Sequence, residues 1–294
     1  MKICSTKLAC AALLASGLTA SGLASAQSTW NLVSGFGCSQ NAGNTGNFGN
    51  SFACTGVGTA GTSATASAWS NDRGSAGTAQ GGSGWANAYM SPQGGSGFGT
   101  ASRTEGLGVS APDHSVDSIA PGTYDFIMVQ FASATILDQF RIGWGAADSD
   151  ITVMRWAGAG LPTGGTGAVT TGGNATLSNT IGGTGWQLVN SYANVCRDGA
   201  NAAVVNNNCS AGNSTVSTGA TSASSYWLIS AYNTTMDTVN GLTAGNDGFK
   251  LNWLRSVNSV NVTPSGVPEP SSVALLAAAA LGFVAMRRRK GMPV

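Results

Sequence analysis

Between two unusual ends, the chain alternates short apolar runs with clusters of Gly, Asn, Ser and Thr. Residues 124–131 read as a strand that is apolar on both faces in its middle. Residues 136–144 read as another, with Phe140, Ile142 and Trp144 on one side. Further strands are predicted at 151–156, 186–192, 226–232 and 249–255, with a weaker one at 257–262. Residues 35–111 are less patterned. Phe52, Trp69, Trp85 and Phe98 sit there among dense small residues, which suits small-residue strands such as 61–69 or long ordered loops. Away from the ends no stretch keeps a helical period. The pattern predicts an all-β protein: one β-sandwich or jelly-roll-like ectodomain with long Gly/Asn/Ser/Thr loops.

The two ends follow other rules. Lys2 and Lys7 precede a weakly apolar run that closes with Ala24-Ser25-Ala26 before Gln27. A basic start, an apolar middle and small residues at the end predict a secretory signal helix over 1–26, cut between Ala26 and Gln27. At the other end, Val267-Pro268-Glu269-Pro270 leads into the apolar segment 271–286 and the cluster Arg287, Arg288, Arg289 and Lys290. As a helix, 271–286 spans about 24 Å, against a hydrocarbon core of roughly 30 Å. Snorkelling arginines close part of that gap, so a single transmembrane helix with a cytoplasmic basic tail is predicted. The chain then divides into a signal at 1–26, a β-rich ectodomain at 27–263 and a sorting segment at 264–294.

The three elements of the tail, in this order, resemble the PEP-CTERM sorting signal. Such tails also carry the label of an ice-binding protein C-terminal domain, which says nothing about ice. The resemblance implies recognition and processing near Val267, Pro268, Glu269 and Pro270 by an integral-membrane exosortase. It implies a Gram-negative bacterium that makes exopolysaccharide. Its further implications are an intermediate at the inner membrane and final placement at the cell surface or in the matrix. A second resemblance lies in the ectodomain. Ala68-Trp69-Ser70, Asp113-His114-Ser115-Val116-Asp117, Ile142-Gly143-Trp144, Asp148-Ser149-Asp150-Ile151, Ser224 to Asn233 and Gly245-Asn246-Asp247-Gly248-Phe249-Lys250-Leu251 occur in this order. Together they are similar to a family of exosortase-dependent bacterial surface proteins. That family supplies no catalytic residues.

Charge and cysteine content narrow the picture. The formal charge is +1, with only 9% charged residues. The ectodomain alone has seven cations and eleven anions, a net −4. That balance excludes a nucleic-acid binder as the expected class. Four cysteines survive export: Cys38, Cys54, Cys196 and Cys209. In an oxidising compartment they predict two disulfides, and three connectivities are open. The local pairs Cys38–Cys54 and Cys196–Cys209 are expected, because each closes a loop too rich in Gly and Asn to order itself cheaply.

Candidate chemistry is sparse. No Gly-x-Ser-x-Gly elbow occurs, and His114 is the one histidine. Flanked by Asp113 and Asp117, it reads as a polar turn residue. Gly56-Val57-Gly58-Thr59-Ala60-Gly61 matches a nucleotide-loop spacing without the strand and helix that would give it meaning. Asp148 and Asp150, alternating with Ser149, point to one side of an extended strand. With Asp247 they form a candidate oxygen cage for calcium; as turn formers they need no metal. The eight tryptophans are expected mostly in the core, with one or two exposed enough to stack on a sugar ring.

These readings predict a non-enzymatic exported protein with a structural or adhesive role in exopolysaccharide. The alternative is a carbohydrate-binding module, calcium-dependent if the aspartates hold an ion. The implied partners are the secretion machinery, signal peptidase, an exosortase, and exopolysaccharide or cell envelope. No nucleic-acid partner is expected.

Overall fold

The structure, a computed structural model, describes residues 27–33, 37–42, 46–58, 63–71, 85–107, 114–118, 123–147, 149–162, 176–177, 185–195, 215–234 and 241–257. All belong to the first of two compact units, which ends at Ser259. The strands of the first half are β1 (Gln27–Asn31), β2 (Cys38–Gln40), β3 (Ser51–Thr55), β4 (Val57–Gly58), β5 (Ser63–Ser70), β6 (Trp85–Asn87), β7 (Tyr89–Pro92), β8 (Phe98–Ala101) and β9 (Val116–Asp117). The second half adds β10 (Asp125–Ala147), β11 (Ile151–Trp156), β12 (Thr176–Leu177), β13 (Trp186–Tyr192), β14 (Thr215–Ser217), β15 (Ser224–Ala231) and β16 (Asp247–Val257).

One strand organises the rest. The start of β10, 125–131, lies between β5 and β15. Its later part, 136–147, pairs with β16, and residues 139–141 also pair with β14. The two stretches predicted as separate strands are therefore one strand of 23 residues. The link 132–134, Ala-Ser-Ala, contains no turn former and is exposed. The register with β15 shifts across this link, between Gln130 and Thr135. There β10 leaves one sheet and enters another, as corner strands do.

The back sheet runs β12-β6-β5-β10-β15-β11-β13, with β3 and β2 attached beside β5. The front sheet runs β4-β1-β16-β10-β14, with β8 and β9 also on β16 and β7 on β8. The sheets face each other across the main core. Trp30 of β1 meets Phe131 of β10 with ring centroids 4.8 Å apart. Phe52 of β3 meets Phe98 of β8 at 4.6 Å, and Phe140 of β10 meets Tyr192 of β13 at 5.6 Å. Each contact joins a back-sheet ring to a front-sheet ring and adds about 0.5–1.5 kcal/mol beyond its buried area. Close approach elsewhere depends on glycine. A Cβ at Gly99 would lie 2.0 Å from the His114 carbonyl oxygen, so β8 and the segment before β9 touch only because that Cβ is missing.

The expected fold needs correcting in two respects. The all-β character is present, but the jelly-roll is not. The strand path is open, running from β12 to β13, and the shared β10 links the sheets at one corner instead of closing a barrel. The signal helix over 1–26 and the transmembrane helix over 271–286 are not part of the described fold either. Both segments lie outside the described residues. Among those residues no helix is long and apolar enough to cross a membrane; the helical element Gly94–Ser96 is one short turn. The weak strand at 257–262 reduces to the last residue of β16, and 258–262 lie outside the described residues.

Candidate functional site

The residues singled out in the sequence fall into three places. The first is the tail. Val267, Pro268, Glu269, Pro270, Arg287, Arg288, Arg289 and Lys290 lie outside the described residues, as do Ala24 and Ala26. Gln27, expected directly after signal cleavage, is the first residue of β1 and pairs with Val257. Cys38 and Cys54 are joined by a disulfide between the paired strands β2 and β3, with Cα atoms 4.0 Å apart. Cys196 and Cys209 lie outside the described residues.

The second place is the corner where β11 and β16 begin. Asp150 and Asp247 are fully buried, at 1% and 0% exposure. The Asp150 N–H donates to Asp247 Oδ1 at 2.7 Å. Asp150 Oδ1 accepts the Asn194 N–H at 2.8 Å, and its Oδ2 accepts the Thr243 N–H at 3.1 Å. Asp247 Oδ2 accepts the Ser118 hydroxyl at 3.2 Å. The Ser149 hydroxyl donates to the Gly248 carbonyl at 3.1 Å. Ser149 and Asn194 both adopt positive φ, 49° and 52°. Such left-handed turns leave main-chain N–H groups without ladder partners, and the carboxylates accept them.

The chain does bring Asp150 and Asp247 together, but as acceptors for loop backbone. Asp148 lies outside the described residues. Among the described residues no group of three His, Cys, Asp or Glu side chains is placed to hold a metal ion. Sequence reading missed Ser118, Asn194 and Thr243, because their roles come from loops far apart in the chain. His114, read as a polar turn residue, is buried just before β9, at 1% exposure. Asp113 lies outside the described residues, and Val57-Gly58 of the glycine motif form β4 beside β1.

The third place is the outer face of the front sheet. Trp30, Trp69, Trp85, Trp186 and Trp227 are buried, while Trp144, Trp156 and Trp253 are partly exposed. Trp156 packs edge-on against Trp186 on the back sheet, centroids 5.4 Å apart. Trp144 lies 4.7 Å from the buried Lys250 ammonium. Trp253 occupies the centre of a cross-strand row. Its partners in register are Arg141 on β10 and Asn31 on β1, and Arg141 is in turn opposite Thr215 on β14. The next row holds Ser217, Gln139, Arg255, Thr29 and Val57.

Three irregularities in the β10–β16 ladder shape this face. The register shifts past Asp138, Asn252 and Gly143. Each extra residue has a use, as bulges often do. Asp138 Oδ2 accepts Arg255 Nε and Nη2 at 2.8 and 2.5 Å. Asn252 Nδ2 donates to the Gly95 carbonyl at 2.8 Å, tying the Gly94–Ser96 turn over one end of the face. At Gly143 a Cβ would come within 2.5 Å of the Ser96 carbonyl oxygen, so glycine admits that turn. Elsewhere, a shallow groove of about 230 Å³ lies between β13 and residues 219–222, with Arg155 hydrogen-bonded to Gln187 on its wall.

Comparison with known proteins identifies the tail. Residues 266–290 match the PEP-CTERM protein-sorting motif, which spans the Pro-Glu-Pro element and the basic cluster. The chain thus carries an exosortase-dependent sorting motif, which marks it for export and surface placement and is itself non-catalytic. No curated protein and no solved structure matches the chain.

Proposed function

We propose that this chain, sorted by its PEP-CTERM tail, is a non-catalytic protein of the cell surface or extracellular matrix that associates with exopolysaccharide. The observation that carries the reading is the match over residues 266–290. Residues 1–26 act as the secretory signal, and signal peptidase cuts after Ala26. Removing them would leave every described strand in place, since the first of these, β1, starts at Gln27. An exosortase then processes the tail near Pro268-Glu269-Pro270. The role is structural or adhesive. The low charge and the abundance of hydroxyl and amide side chains suit hydrogen bonding to hydrated glycans with little dependence on salt. The second reading, a carbohydrate-binding module, is favoured by the partly exposed Trp253 among polar cross-strand neighbours.

Replacing Pro268, Glu269 and Pro270 together by alanine tests the sorting step. The variant is expected to stay with the cells, while the parent protein appears in the matrix fraction. Equal amounts of both in the matrix would overturn the reading.

A further inference from the structure

We propose that Gln27 is a modification site: once freed as the N-terminus, it closes on itself to give pyroglutamate. The proposal rests on the reading above that signal peptidase cuts after Ala26; ring closure is a separate, later event. In glutamine the side-chain amide carbon lies within five-membered-ring reach of the residue's own α-amine. The neutral amine nitrogen attacks Cδ and an N–Cδ bond forms. The Cδ–Nε2 bond breaks, and ammonia leaves with the proton that the amine gives up. No oxidant, metal or second reactant enters the balance. A free α-amine titrates at about 7.7–8.0, so its neutral, attacking form is present near pH 7. Holding both groups in one residue makes the step unimolecular.

The fold leaves these atoms free to react. Gln27 is exposed at the first position of β1. Its register with β16 is unbroken, from Gln27 opposite Val257 to Asn31 opposite Trp253. One residue further on, the Leu32 N–H donates to the Asn252 carbonyl at 2.8 Å. Bonded pairs alternate in an antiparallel ladder, so Trp30 and Ser28 bond to β16 and Gln27 turns its main-chain groups the other way. The Gln27 carbonyl does lie on the β4 side, where a Cβ at Gly58 would come within 2.2 Å of its oxygen. A strand residue points its nitrogen and its carbonyl oxygen to the same side, so the amine carries no bond to β16. Closing the ring uses rotations about N–Cα and within the side chain, and leaves every later pair alone. The product resembles a proline at the first residue of a strand, a position that accepts one. Three residues on, Trp30 is fully buried and packs on Phe131 in the main core. The lactam removes the free amine that aminopeptidases need, and so guards a strand that carries a core tryptophan.

The test is amine labelling of the full chain recovered from the matrix, followed by tryptic mapping. The first peptide of a chain cut after Ala26 runs from Gln27 to Arg73 and contains no lysine, so the α-amine is its one amine. The account expects that peptide to be unlabelled and lighter by one ammonia. The synthetic peptide Gln-Ser-Thr-Trp-Asn, carried through the same preparation, should stay open and take the label. Gln27→Asn should take the label as well, because its ring would have four members. A labelled parent peptide starting at Gln27, equal closure of the synthetic peptide, or an unlabelled Gln27→Asn form would each overturn the ring while leaving the cleavage standing. A chain starting at any other residue would remove the cleavage after Ala26, and the ring with it.

Discussion

The two outward faces of this molecule are built from the same strand and behave in opposite ways. On the back sheet, β10 sends Phe126 and Met128 outward into a second buried cluster with Trp69, Trp85, Met154, Trp186, Tyr226 and Leu228. On the front sheet, the same strand sends Gln139 and Arg141 outward, beside the partly exposed Trp253. Tryptophan content therefore does not mark a binding surface by itself. What matters is whether the rows beside the indole are apolar and buried or polar and accessible. The back sheet is covered on both sides, as strands with unbroken apolar runs usually are. The front sheet has one core face and one accessible face.

The sharpest break in this comparison is the same substitution made on each face. Trp69→Ala, at 1% exposure on the back sheet, should cost about 3–5 kcal/mol in denaturant unfolding. Trp253→Ala should cost less than about 1 kcal/mol, because its ring is not part of a core cluster. Equal costs would remove the distinction between the faces. Next in size is the Cys38–Cys54 bridge, which belongs to the back sheet. Replacing both cysteines by serine should lower stability by about 3 kcal/mol, read as an earlier midpoint in denaturant unfolding.

A smaller effect comes from the acidic corner where β11 and β16 begin. Asp247→Ala removes the acceptor of both the Asp150 N–H and the Ser118 hydroxyl, and should cost about 1–3 kcal/mol. A chelator should leave the melting temperature of the parent protein unmoved, since backbone N–H groups already engage the Asp150 carboxylate. A melting temperature that falls with chelator would restore calcium to this corner.

The smallest effect is alkaline. Tyr192 of the back sheet donates its hydroxyl to the Thr218 carbonyl at 2.8 Å and packs on Phe140. Burial pushes its pKa up to about 12 against an ordinary 10, partly offset by a hydrogen bond with Asn190. Burial also raises Tyr226, on the outer side of the same sheet. A raised phenol stabilises the fold fully below pH 10, and that contribution is lost between pH 10 and about 12. Tyr192→Phe should flatten the pH dependence of stability in that window.

The contrast between the faces was partly legible in the amino-acid order. Phe126-Ile127-Met128-Val129 is apolar at every position, which predicts burial on both sides. Gln139-Phe140-Arg141-Ile142 alternates, which predicts one accessible side. The single strand across 125–147 was not legible, because the Ala-Ser-Ala link looks like neither a strand nor a turn. Bulges hid the Trp253 row as well. An extra residue at Asn252 resets the alternation, so counting by twos along β16 puts Trp253 and Lys250 on opposite faces, although both are outward. The acidic corner read as turn formers or as a calcium cage, but its partners were hidden. The N–H groups that occupy Asp150 belong to Asn194 and Thr243, and only the folded loops bring them there.

The central claim is that the tail delivers this chain to the matrix, and intact mass with non-reducing peptide mapping tests it most directly. The protein would be recovered separately from cells and from extracellular matrix. The account predicts a matrix form that starts at Gln27, lacks the residues after the Pro-Glu-Pro element and keeps Cys38 linked to Cys54. A chain with its complete tail, found only with the cells, would contradict it.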